Sequence, residues 1–531
     1  MKHWFSLFLA VMSLAGSIQG QAPAVQPPAQ VQESGSQSSY TLHVQSKLVV
    51  LDVVVTNKQG KPVSGLPREA FKIFENKVSQ KILSFTPAVV PGPGSAAPVE
   101  IHSTAELDKV EPQAPVSILV LDELTASFED QAFARYSLKK YLQQEGDVLR
   151  QPTMLIAVGL GRQMVLRDYT TSKKEILDAI DHHFATTAWQ QQTGGWEADQ
   201  FKTAFASLIG VAQATAGHAG HKNMVWIGRG FPSISSEELT PEQEAALQQY
   251  INICTNLLRD SRVTLYSVDP AGVAADPPAT DAEGFYVGDP FGGDVDFDSM
   301  VRATGGQAFH GRNDVNNLID ASVSDGRIFY TISYRPTTTS SDPKQFRNIQ
   351  VVMTDRSLTA TTREGYFAAS EPLPPALTAE NEVSMRTKFD IVEASEGLMI
   401  YDGIPLTIAR KPGAPDNFEV SLPASSLQWT PDGDKARSNL LLVVESFDHK
   451  GKLLHNDGRV FGLVLPPQKE AAADTRTVTL PLTVSTAPPA ARLRVIVRAN
   501  DTGKIGADNF FLVDRETLKD PSTGLIPKKK K

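Results

Sequence analysis

The chain has 531 residues, 41% of them hydrophobic and 21% charged, with 51 Lys and Arg against 60 Asp and Glu for a formal charge of −9. That length exceeds what one hydrophobic core serves and predicts several domains. The absence of a basic excess argues against nucleic-acid binding, and a single cysteine excludes an internal disulfide.

In chain order, residues 1–20 read as a signal peptide. Lys2 supplies the positive end, and the apolar stretch Trp4 to Ala15 is short for a bilayer crossing. Cleavage would leave Gln21 as the mature start and an exported product, periplasmic or extracellular and possibly associated with the cell envelope. No later segment has the length and apolarity of a transmembrane helix. Residues 21–39, rich in Pro, Gln and Ser, predict a disordered linker. Residues 40–87 carry a β-branched run, a turn at Asn57–Gly60 and two short strands around Glu75–Lys77, a small β domain. Residues 88–113 read as a linker.

From residue 114 to 336, apolar strands alternate with amphipathic helices, the pattern of an α/β doubly wound sheet covered on both faces. Strands are expected at Val116–Leu121, Thr153–Val158, Asn223–Ile227, Arg262–Val268 and Ile328–Tyr334. Helices are expected at Gln131–Gln144, Ser172–Phe184, Glu197–Ala216, Pro241–Arg259, Asp294–Thr304 and Val315–Asp325. A tight turn at Gly159–Gly161 predicts one antiparallel edge strand. The Pro-, Gly- and Asp-rich stretch 272–293 predicts a loop near the carboxyl end of a sheet strand, where binding surfaces form. Residues 337–370 predict a β-hairpin extension, and its 345–368 part could complete the N-terminal β domain. Residues 378–516, with "NLLLVVESFD" and "RLRVIVRAND", predict a C-terminal β-sandwich, and 517–531 a disordered basic tail.

The candidate site begins with "ILVLDELTASFED". Asp122 falls where the first strand of the α/β unit should end, followed by Thr125 and Ser127. A carboxylate with nearby hydroxyls can bind a hard cation such as Mg²⁺ or Ca²⁺ and leave room for an outside carboxylate. Asp269, in "SVDPAG", either shapes a binding surface or caps its turn. Asp289, Asp294, Asp296 and Asp298 have a calcium-loop rhythm, but the expected Gly and Glu are missing, so a solvated rim or a helix cap is favoured. His218 and His221 read as a polar turn rather than a metal pair, and His182 and His183 as surface residues. Cys254 reads as a small buried apolar group, and Trp429 as core. No catalytic residues can be assembled.

Several passages together resemble the "VWFA-related" family of exported proteins common in Acidobacteria, within the broader von Willebrand factor type A (VWA) superfamily. They are "LVVLDVVVTNKQGKPVSGLPREAFKIFENKVSQKILSF", "VSILVLDELTASFED", "GHKNMVWIGRGFP", "VTLYSVDPAGV", "ATGGQAFHGRNDVNNLI", "GRIFYTISYRP", "FRNIQVVM" and "REGYFAA". The resemblance covers residues 40–370. It implies a doubly wound sheet, protein–protein contact, and a cation held by Asp-x-Ser-x-Ser with a distant Thr and Asp. The leading Asp matches Asp122, but the two Ser positions fall on Leu124 and Ala126, which offer no side-chain oxygen. Thr193 is available for the distant Thr. The late Asp is replaced by "GRG", where Arg229 would repel a cation. The metal site Asp122, Thr125, Ser127 is therefore degenerate. Either it holds a weak Mg²⁺ or Ca²⁺, or Asp122 caps its loop or pairs with Arg229 without metal, which is the favoured reading; no other cofactor is expected.

The functional expectation is an exported, non-catalytic protein-binding protein of the adhesion or envelope-complex kind. Its contact rim would comprise Asp122, Arg229, Asp269, Asp289 and Asp294. The alternatives are an extracellular glycan-binding protein or enzyme accessory, and a structural envelope component. Partner identity and oligomeric state stay open.

Overall fold

The computed structural model describes residues 48–88, 99–159, 162–183, 196–231, 233–234, 239–272, 291, 295–337, 345–367, 385–395, 398–432, 435–465, 476–514 and 517–518. The expected signal peptide and linker, Thr193, Asp289, Asp294, nearly all of the 272–293 stretch and most of the expected basic tail lie outside the described residues.

The central sheet has six strands: β1 (Val116–Asp122), β2 (Val148–Gly159), β3 (Arg162–Ser172), β4 (Lys222–Ile227), β5 (Val263–Val268) and β6 (Ala308–Phe309). Their order is β6-β5-β4-β1-β2-β3. All neighbours are parallel except β2 and β3, whose antiparallel pairing runs to Gly159 opposite Arg162. The glycine turn in the sequence signalled this edge. Strand β1 is buried along its whole length because it faces helices on both sides. Val116, Ile118 and Val120 point to one core, and Leu119 and Leu121 to the other, as period-2 geometry requires.

Helices α1 (Phe128–Gln144), α2 (Lys173–His182) and α6 (Val315–Asp325) cover the face of Leu119 and Leu121. Helices α3 (Trp196–Ala214), α4 (Pro241–Asp260) and α5 (Phe297–Thr304) cover the opposite face. This is a mixed sheet flanked by helices, a VWA-like core. Among the described residues no helix is long and apolar enough to cross a membrane.

Three expectations are corrected. The strand expected at Ile328–Tyr334 is observed at Tyr330–Tyr334, but it does not join the central sheet. It lies antiparallel between Val49–Thr56 and Ile82–Thr86. The sixth central strand is instead the two-residue β6, too short to leave a periodic signal. The 88–113 linker contains a helix, Thr104–Val110, with Ile101 and Leu107 fully buried against the α/β core. Beyond Pro336, where only strands were expected, Met385–Ser395 forms a further helix.

Phe346–Met353 runs antiparallel to Phe71–Glu75 and to Gly365–Phe367. Residues from before and after the α/β unit thus share one core, in which Tyr334, Tyr366 and Arg347 all hydrogen-bond the buried Glu75 carboxylate. The C-terminal strands form two antiparallel sheets around a core of Phe418, Val420, Leu442 and Val495. That β-sandwich is tied to the α/β unit. Asp390 accepts from Gln213 of α3 at 2.5 Å and from Arg498 of strand Ala490–Ala499 at 2.8 Å.

Candidate functional site at the carboxyl rim of the sheet

The carboxyl ends of β1, β4, β5 and β6 converge on one rim. Ser127 caps α1 by accepting from the Asp130 N–H at 3.1 Å, and Gln200 of α3 donates to the Leu124 carbonyl at 3.0 Å. The loop after β1 is therefore held from both ends. Beneath it, Asp122 is only 3% exposed. Its Oδ1 accepts from the Leu124 and Thr125 N–H groups at 2.8 and 3.2 Å. Its Oδ2 accepts from the Thr125 hydroxyl at 2.7 Å, the Trp226 indole N–H at 2.9 Å and the Gly230 N–H at 2.9 Å. Burial pushes the Asp122 carboxyl above its ordinary range, against these donors, which favour the charged form.

This geometry does not fit a divalent ion. Two of the three donors facing Asp122 Oδ2, the Trp226 and Gly230 N–H groups, have no lone pair for a cation; the Ser127 oxygen serves the helix cap, Leu124 and Ala126 supply no oxygen, and the Thr125 hydroxyl alone could join the carboxylate. Among the described residues no three His, Cys, Asp or Glu side chains cluster as metal ligands. Asp122, Thr125 and Ser127 are thus neighbours without being a ligand set. Of the two metal-free alternatives, Asp122 caps its loop through the Leu124 and Thr125 N–H groups, while Arg229 pairs with Asp269 instead. Asp122 also lies under the rim, not on it. Five donors draw the carboxylate inward, and tertiary packing supplied two of them.

Arg229 belongs to a different group. It sits between two glycines that the packing demands. A Cβ on Gly228 would lie 2.1 Å from the Asp122 Cβ, and one on Gly230, at φ +73°, would lie 2.2 Å from the Phe297 ring. The close approach of this loop to Asp122 and to α5 turns Arg229 outward. Its Nε donates to Asp269 Oδ2 at 3.0 Å, while 48% of its side chain stays exposed. Asp269 directly follows β5 and also accepts from the Ala271 N–H at 2.9 Å, so it both caps its turn and shapes the rim. His310, just after β6, stands 3.6 Å from Asp269 through Nδ1 and 2.8 Å from Asp298 through Nε2.

Arg229, Asp269, His310 and Asp298 thus form one row of alternating charge. The two flanking carboxylates push His310 up to about 9, so it is cationic at neutral pH. Burial alone would raise Asp269, but His310, the Ala271 N–H and Arg229 together hold it below the usual range. Sequence reasoning found Arg229 and Asp269 singly and placed Asp298 in an acidic run. It missed His310 because β6 is too short to mark a strand end. Asp296 is a helix cap, accepting from the Ser299 N–H at 2.7 Å.

Of the other histidines named in the sequence, His183, His218 and His221 are buried. His218 and His221 lie in the turn before β4, are buried, and point to different partners, the Ala114 carbonyl at 2.8 Å and Asp52 at 2.9 Å. His182 is exposed, but His183, expected at the surface, is fully buried against Glu123 at 2.6 Å. Cys254 is buried among α4 core residues, which raises its thiol well above ordinary values. Trp429 packs at the sandwich edge and donates to the Ala424 carbonyl at 2.8 Å.

No family model matches the chain, and no curated protein matches it. Among solved structures it is similar to proximal thread matrix protein 1 from the mussel byssus (13% identity, TM-score 0.25, 45% of this chain and 50% of that one). The chain therefore spans about half the length of that protein. It is also similar to the manganese-loaded TRAP protein of Plasmodium vivax (9% identity, TM-score 0.23, 48% of this chain and 94% of that one). A third is the SpRpn10 VWA domain (15% identity, TM-score 0.16, 30% of this chain and 89% of that one). These are weak, distant likenesses to proteins that include VWA domains, and at such scores they carry no argument about ligands.

Proposed function

We propose that the chain is an exported, non-catalytic protein-binding protein whose contact face is the carboxyl rim of the central sheet. One observation carries the reading: Arg229 is anchored through Nε to Asp269 while nearly half its side chain faces solvent. A guanidinium held at one nitrogen has lost part of its side-chain freedom before any partner arrives, which reduces the entropy cost of binding. Both His310 nitrogens already face Asp269 and Asp298, so the group the rim offers to a partner's carboxylate is the open side of the Arg229 guanidinium. Asp122 serves this face indirectly by holding the Gly228–Gly230 loop in place. Export rests on the character of residues 1–20 and on the resemblance to exported VWFA-related proteins.

The test is quantitative capture from native envelope extracts with the full mature chain, Arg229→Glu, and Lys174→Glu as an exposed control away from the rim. The proposal expects selective partners that Arg229→Glu loses and Lys174→Glu retains, with circular dichroism unchanged. An identical partner set on all three chains overturns it.

A further inference from the structure

The strand Leu453–Leu465 is 13 residues long and pairs along one side with Lys435–Asp448. Among the described residues no strand pairs with its other side. A free edge of this length exposes a row of backbone donors and acceptors, and soluble proteins ordinarily blunt such edges with proline, lysine or very short strands. This edge has no proline and no lysine. It also exposes apolar side chains, with Val460 at 52% and Val464 at 49%.

The order of residues along the edge identifies what fits it. Take an antiparallel pairing of the strand with itself about a two-fold axis through Gly458. Asp457 then stands opposite Arg459 of the second copy, and the reverse pair forms across the axis. His455 meets Phe461, Asn456 meets Val460, and the two Gly458 residues face each other where the copies come closest. Opposite charges directly across an antiparallel pair stabilise it, and like charges oppose it. In the single chain Asp457 and Arg459 are left to pair with each other, at 2.9 Å, with 32% and 59% of their side chains exposed. Phe461, Leu463 and Leu465 are only partly buried against the sandwich core, and a second strand alongside would cover their open side.

We infer that this edge is a self-association surface, joining two copies of the chain through an antiparallel β-ribbon centred on Gly458. The interface is isologous, so the same residues serve both copies and the assembly closes at two. It lies in the C-terminal β-sandwich and does not depend on the reading of the carboxyl rim.

The experiment is sedimentation velocity on the full mature chain, alone and in variant mixtures. The wild type is expected to sediment as a concentration-dependent dimer. Asp457→Arg alone places arginine opposite arginine, and Arg459→Asp alone places aspartate opposite aspartate. Each should weaken dimerisation about tenfold or more. Mixed together, the two variants restore both opposite-charge pairs and should form a heterodimer. Val460→Lys, which tests the same edge without changing either pair, should also give monomer. Circular dichroism confirms that each variant folds, and the mixing result needs only that both do. A monomeric wild type, charge variants that dimerise unchanged, or a mixture that stays monomeric each overturns the inference. So does a monomer that dimerises only after residues 21–47 are removed, since the edge would then be covered by the chain's own N-terminal segment.

Discussion

Arg229 and Asp269 meet across the carboxyl ends of adjacent strands, Nε to Oδ2 at 3.0 Å, and this contact turns two loop residues into one rim. Asp269 also faces His310 at 3.6 Å, so one carboxylate contacts both basic neighbours. Replacing Asp269 with Asn removes the charge and keeps the shape. The His310 titration should then move from about 9 down toward its ordinary 6.5, read by NMR of the imidazole protons. An unmoved titration would assign the shift to Asp298 alone.

His310 also makes stability depend on pH. Its folded value lies above its unfolded value, so the folded state binds the proton more tightly. The contribution is complete below about pH 6.5 and is lost as pH rises through about 9. The difference in melting temperature between the wild type and His310→Asn should therefore be largest near pH 6 and shrink toward pH 10. A difference that is flat across this range counts against a protonated His310.

Asp122 predicts indifference to divalent ions. Mg²⁺, Ca²⁺ or Mn²⁺ added to the full chain, or EDTA, should leave the melting temperature unchanged. Asp122→Ala should cost about 3 kcal/mol or more, because it leaves the Trp226, Gly230, Leu124 and Thr125 N–H groups without their buried acceptor. A cation-induced rise in melting temperature that disappears in Asp122→Ala would reverse this reading.

Gly230→Ala tests the loop that presents Arg229. The position needs φ +73° and has the Phe297 ring in the path of any Cβ. A loss of about 2 kcal/mol is expected in urea unfolding, together with weaker partner capture. Wild-type stability in this variant would show that the loop is free to move.

Arg498 and Asp390 are both almost wholly buried, and they join the sandwich to the helix Met385–Ser395, which also meets α3. Arg498→Ala leaves a buried carboxylate without its guanidinium and should cost about 3–5 kcal/mol. The double variant Asp390→Leu with Arg498→Met should cost much less, since no buried charge remains. Equal losses in the two variants would show that packing, not the charge pair, sets the effect.

The central sheet was legible because its signal is local. Val116–Asp122, Val148–Gly159, Lys222–Ile227 and Val263–Val268 are long enough for apolar runs to alternate with helical periods, and the turn at Gly159 announced the antiparallel edge. Asp122, Arg229 and Asp269 were identifiable because each lies at or just after a strand end. Tertiary structure alone decided the rest. Whether Asp122 faces a cation, Arg229 or Trp226 depends on residues more than a hundred positions away that approach only when β1 and β4 pair. Tyr330–Tyr334 carries no mark showing that it pairs with Val49–Thr56 and not with the strands just before it. His310 acquires its two carboxylates only through folding. Periodicity records which face of a segment is buried, whereas a carboxylate's partner is set by whichever donors the packed elements bring within hydrogen-bond reach.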